Sequence, residues 1–182
     1  MIKHIKNLVI FLTVILAGCA RFQGNQTPTH EAPSNTIGEF TTVTYLIRGN
    51  VESKDERLLK EIMYSYGIKL EWGQIREDGT PHLDIDFSFR RNGAAVVPAI
   101  ITGATFYFVP SWQTQYYTLT THLKNTEIDY SFRAKDHTVL VQWLPMIIAF
   151  PFADPFTAES KLVEKVYTDL AFNISEQLKN NK

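Results

Sequence analysis

Over residues 82–90 every second side chain is apolar: Leu83, Ile85, Phe87 and Phe89 alternate with His82, Asp84, Asp86, Ser88 and Arg90. A period of two puts one set on a buried sheet face and the other in water, so this segment predicts a strand. Residues 40–48, dense in β-branched and aromatic side chains, predict another. Shorter alternations predict strands at 68–75 (Ile68, Leu70 and Trp72 on one side), 116–124 (Tyr117, Leu119, Leu123), 127–133 (Ile128, Tyr130, Phe132) and 138–143. Asp78-Gly79 and Asn92-Gly93 have the composition of hairpin turns.

Two segments switch to the helical period. In the first, Leu58, Leu59, Ile62, Met63 and Tyr66 share a face, Ser53 and Glu56 have capping-box spacing, Glu56 and Lys60 stand at i,i+4, and Gly67 follows as a left-handed stop. In the second, Leu162, Val163, Val166, Tyr167, Leu170, Ala171, Ile174 and Leu178 form a continuous stripe. The order β-α-β-β, then antiparallel hairpins, then α predicts an α+β fold. It is a mostly antiparallel or mixed sheet of about five or six strands with two helices on one face.

Two stretches follow neither period. Residues 94–109 (AAVVPAIITGATFYFV) and 144–153 (LPMIIAFPFA) are apolar throughout and broken by Pro or Gly, a pattern that fits helix or strand equally. As a helix the longer run reaches only about 24 Å, short of a bilayer's hydrocarbon core, and Pro98, Pro145 and Pro151 further oppose a transmembrane hairpin. Strands lent to a membrane barrel, core segments under the helices, and an exposed apolar patch are the other readings. In the last of these, Phe106, Trp112 and Trp143 mark the interaction surface.

The start of the chain changes the picture. Lys3 and Lys6 precede an apolar run over residues 8–17, too short to span a bilayer, which is a secretory signal layout. Leu16-Ala17-Gly18-Cys19 resembles the lipobox of bacterial lipoproteins. That resemblance implies removal of residues 1–18, a diacylglycerol thioether on Cys19 and an N-acyl chain on its freed amine, with no other cofactor. Two or more acyl chains hold a protein stably on a membrane. Ala20 in place of Asp implies, by the same resemblance, the periplasmic face of the outer membrane. Residues 20–38 are polar and rich in Thr, Asn, Pro and Gly, so 19–38 reads as the acylated cysteine and a flexible tether spanning roughly 25 Å. Residues 39–182 then form a single periplasmic domain.

Charge excludes one class of partner. The whole chain has 18 basic and 19 acidic residues, and loss of Lys3 and Lys6 with the leader makes it slightly more acidic. Without a basic patch, nucleic-acid binding is not expected. The single cysteine leaves no thiol for a disulfide once acylated.

Candidate chemistry is sparse. His82, Asp84 and Asp86 would share a strand face about 7 Å apart, a weak candidate for a metal or a hydrolytic water; the same alternation describes a plain solvated face. No nucleophile elbow, P-loop or H-E-x-x-H motif is present. Residues 98–112, the Tyr-rich strand after them and Trp143-Leu144-Pro145 also resemble small outer-membrane lipoproteins of Gram-negative bacteria, a resemblance that implies no particular activity. The sequence therefore predicts a lipid-anchored, non-enzymatic binding or assembly domain with an envelope protein or lipid as partner. The alternatives are a subunit of an oligomeric secretion or pore assembly, or a metal-dependent hydrolase using the His82 face.

Overall fold

The computed structural model describes residues 19–24, 27, 28, 30, 40–49, 51–147 and 157–180. The segment read as a leader, with Leu16, Ala17 and Gly18, lies outside the described residues, as do most of the segment read as a tether and residues 148–153 of the second apolar run. The fold is α+β. Strands β1 (Cys19–Gln23), β2 (Thr41–Gly49), β3 (Ile68–Trp72), β4 (His82–Arg91), β5 (Ser111–Lys124) and β6 (Asp129–Gln142) accompany helices α1 (Ser53–Ser65), α2 (Val96–Ala104) and α3 (Ala158–Asn180). The strands form one sheet in the order β1-β6-β5-β4-β2-β3.

That sheet is mixed. β2 pairs in parallel with β3 on one side and β4 on the other, whereas β1 runs antiparallel to β6. Parallel neighbours need a crossover, and α1 supplies it between β2 and β3. Gly67, at φ 77°, turns the chain out of α1 into β3. Residues 96–104 supply the third helix, which periodicity leaves open because the run around it is apolar throughout. β6 runs unbroken through 134–137, where the sequence predicts a break. Ala134, Asp136 and Thr138 are buried in alternation, and the Asp136 carboxylate accepts the Thr27 N–H at 3.1 Å, so a charged residue occupies an inward strand position.

The chain divides into two compact units: residues 25–89, 117–136 and 162–182 form one, and residues 1–24, 90–116 and 137–161 the other. The first contains the hydrophobic core. Val43 and Tyr45 of β2, Leu59 and Met63 of α1, Leu83 and Ile85 of β4, Leu119 and Leu123 of β5, and the whole α3 stripe from Leu162 to Leu178 are buried together. The expected capping box does not form. Glu52 occupies the N-cap without a side-chain bond, and the Glu56 carboxylate instead accepts the Tyr45 hydroxyl and pairs with Lys60 at 3.0 Å. The Tyr45 bond, then Lys60, hold the Glu56 carboxyl below its usual range.

In the other unit, residues 19–23, at the start of the segment read as a tether, are a strand. They form β1, in register from Cys19↔Gln142 to Gln23↔Thr138. Ala20 is fully buried, the Arg21 guanidinium pairs with Glu159 at 2.7 Å, the Gln23 side chain donates to the Ala158 carbonyl, and the Gly24 N–H donates to the His137 carbonyl at 2.8 Å. A polar segment can be ordered by an open strand edge without an apolar core of its own. A Cβ on Gly24 would fall 2.2 Å from the His137 ring, so only glycine leaves space for this approach.

Candidate interaction surface

The exposed apolar end of this unit is built as follows. The Asn92 side chain accepts the Ala94 N–H at 3.1 Å and opens a 3₁₀ turn, Gly93–Ala95, that runs into α2. Pro98 falls in the first turn of α2, where its missing N–H has no helical partner to lose. The helix's hydroxyls are satisfied internally: Thr102 donates to the Pro98 carbonyl at 2.9 Å, and Thr105, just past the end, donates to the Ile101 carbonyl at 2.9 Å. Such back-bonding removes the polar character of a threonine from the helix surface.

What remains outside is hydrocarbon. Val97 is 63% exposed, Ile100 66%, Phe108 72% and Trp112 67%. Val96, Ile101, Phe106, Val109, Tyr116 and Trp143 are exposed as well. A helix that is apolar all round is ordinarily enclosed by protein or membrane, and α2 is largely open. Phe106 and Tyr107 take left-handed backbone conformations, φ 50° and 65°, an unusual state for aromatic residues that reverses the chain after α2. The Tyr107 N–H closes this reversal on the Thr102 carbonyl at 2.8 Å.

The two apolar runs meet here. The Leu144 N–H donates to the Tyr107 carbonyl at 2.9 Å, and the Ser111 hydroxyl donates to the Gln142 side chain at 3.2 Å. Gln142 is in turn the register partner of Cys19. Three places far apart in sequence, Cys19, Ser111-Trp112 and Gln142-Trp143, thus adjoin at one end of neighbouring strands. No Asp, Glu, Lys, Arg or His occurs from Asn92 to Thr121, while Arg90 and Arg91 stand exposed just ahead of that span.

The residues considered for chemistry are arranged differently. His82, expected on the wet face, is only 2% exposed, and its Nδ1 shares a 2.9 Å hydrogen bond with Thr44 Oγ1, its register partner on β2. Burial, with Arg48 adding to it and Asp84 opposing, pushes the His82 imidazole below its usual range. Asp84 pairs with Arg48 at 3.2 Å, and Asp86 is exposed. Asp84 and Asp86 line a hollow of about 160 Å³ with Arg48, Thr120 and His122, and His122 Nδ1 is 2.8 Å from the Ser131 hydroxyl. Among the described residues no three His, Cys, Asp or Glu side chains converge as a metal would require. The expected trio is therefore split: its two aspartates share a shallow polar hollow, and its histidine is engaged elsewhere. Sequence reasoning missed Arg48 and His122 beside those aspartates, because the parallel register Arg48↔Asp86 depends on strand pairing that no local pattern reveals.

Also among the described residues, no helix is long and apolar enough to cross a membrane. No protein-family model matches the chain, and no curated protein matches it. Among solved structures it is similar to a PelC dodecamer from Paraburkholderia phytofirmans, with 10% identity, 84% of this chain and 98% of that chain covered, and a TM-score of 0.36. A likeness that slight bears on neither mechanism nor assembly.

Proposed function

We propose that the chain is a lipid-anchored lipoprotein of the bacterial outer membrane, facing the periplasm, whose folded part is a non-enzymatic binding domain. It engages another envelope component through α2 and the aromatic residues Phe106, Phe108, Trp112 and Trp143. The observation that carries this reading is the exposed, charge-free surface in which both apolar runs meet. Large exposed apolar patches mark interaction sites, because leaving them in water forgoes burial worth about 25 cal/mol per Å². The lipobox resemblance at Cys19 supports the anchor, and the split arrangement of His82, Asp84 and Asp86 weighs against chemistry there.

A photo-crosslinking residue placed at Phe106, Trp112 or Trp143 in intact cells tests the reading. Discrete lipid or protein adducts at these positions are expected. Their absence at all three, with the protein correctly localised, would mean that nothing in the envelope docks on this surface.

A further inference from the structure

Building on that reading, we infer that the occupant of the apolar surface is the membrane leaflet that receives the Cys19 lipid, so that the domain lies on the bilayer with α2 immersed. The first argument is the absence of slack. β1 begins at Cys19 itself, and Cys19 is the register partner of Gln142. Paired residues on neighbouring antiparallel strands have Cα atoms about 4.5–5.5 Å apart, so the Cys19 backbone, the point of attachment, lies beside Gln142, the residue before Trp143. The Ser111–Gln142 hydrogen bond places Trp112, one strand further on, at the same end of the sheet. A domain fixed to the bilayer at that point cannot keep this end of its sheet in open water.

The surface has the chemistry for that place. α2 has nine residues and is about 13 Å long, enough to sink into one leaflet and too short to cross both. Its one hydroxyl, that of Thr102, is fully buried and donates to the Pro98 carbonyl, so no polar side chain of α2 faces outward. Trp112 and Trp143 have the amphipathic rings that settle at the headgroup boundary. Arg90, exposed shortly before α2 in the chain, can meet lipid phosphates.

The test uses the full acylated protein reconstituted into vesicles of phosphatidylethanolamine and phosphatidylglycerol, with and without bromine on the acyl chains. Three single-tryptophan variants retain Trp72, Trp112 or Trp143, the other two positions being Phe. Bromine near the headgroups is expected to remove most of the emission of Trp112 and Trp143, and to leave that of Trp72, an exposed tryptophan of the other unit, largely intact. Ile100→Glu should reduce quenching at both Trp112 and Trp143 while the protein still floats with the vesicles. Acylated, vesicle-bound protein with Trp112 and Trp143 unquenched would overturn this inference alone, and chemical crosslinks joining two copies through these residues would identify a second copy as the occupant instead. Mass spectrometry of the peptide bearing Cys19 separates the two levels: an unmodified cysteine would remove the anchor, and with it both readings.

Discussion

Helices α2 and α3 contain the same kinds of apolar side chain and meet opposite fates. In α3 the apolar residues recur at three and four, and Lys161, Glu164 and Lys179 fall between them. Leu162, Leu170 and Ile174 are 0–1% exposed, while Lys161, Glu164 and Lys179 face solvent. In α2 the one polar side chain, Thr102, is buried, and Val97, Ile100 and Ile101 are open. Burial inside a chain needs an outer face that tolerates water; a segment lacking that face calls for an apolar environment supplied by something else. Polar residues at regular spacing are thus what tells a core helix from one left exposed.

The largest expected effect sets these helices against each other. Leu170→Ala, at a fully buried position of α3, should destabilise the protein by about 2–5 kcal/mol in urea unfolding, through lost transfer energy and the cavity left behind. Ile100→Ala on α2 should change stability by no more than about 0.5 kcal/mol. Equal losses would mean that α2 is core, and the comparison would collapse.

Next in size is a backbone effect confined to the unit that contains the core. Gly49 ends β2 at φ 106°, and a Cβ there would lie 2.1 Å from the Phe87 carbonyl oxygen. Gly49→Ala should lower stability by roughly 1–3 kcal/mol, visible as a lower thermal midpoint, because a rigid backbone atom must move and a left-handed conformation must be held without glycine. Gly93→Ala, where an added Cβ meets nothing within 4 Å, is the matched control. An unchanged midpoint for Gly49→Ala would show that the end of β2 is not held against β4 as described.

How much of this was legible in the sequence follows the same division. The α3 stripe, the inward set Leu83, Ile85 and Phe87, and the turn at Gly67 were readable because each is a local pattern with one structural solution. The helical state of residues 96–104 was not, since a uniformly apolar run has no period. Nor was β1. Cys-Ala-Arg-Phe-Gln has the composition of a tether, and only the open edge of β6, brought near by the fold, orders it. His82 defeats local reading for a related reason: alternation assigns it to the wet side, but the β2 register supplies Thr44 as a partner and closes that end of the strand. Of the exposed apolar surface, Phe106, Trp112 and Trp143 could be singled out by type, while the placing of Trp112 and Trp143 at the Cys19 end of the sheet depended on strand pairing.

The smallest effect is one of pH, and it sharpens the comparison because it should touch only one region. Burial holds the His82 imidazole below its ordinary 6.5, so the folded state binds its proton less readily than the unfolded chain does. Stability from this residue is therefore fully present above about pH 6.5 and is lost as pH falls through the lower folded value. His82→Gln keeps a polar partner for Thr44 and removes the titration, so urea midpoints measured from pH 7.5 down to 5 should fall less steeply in the variant. The span from Asn92 to Thr121, which includes α2 and Trp112, contains no Asp, Glu or His. Tryptophan quenching by brominated vesicles should accordingly stay constant over the same interval while stability declines. Were quenching to fall in step with stability, insertion would depend on the state of the core, and the two regions would have to be treated as one cooperative unit.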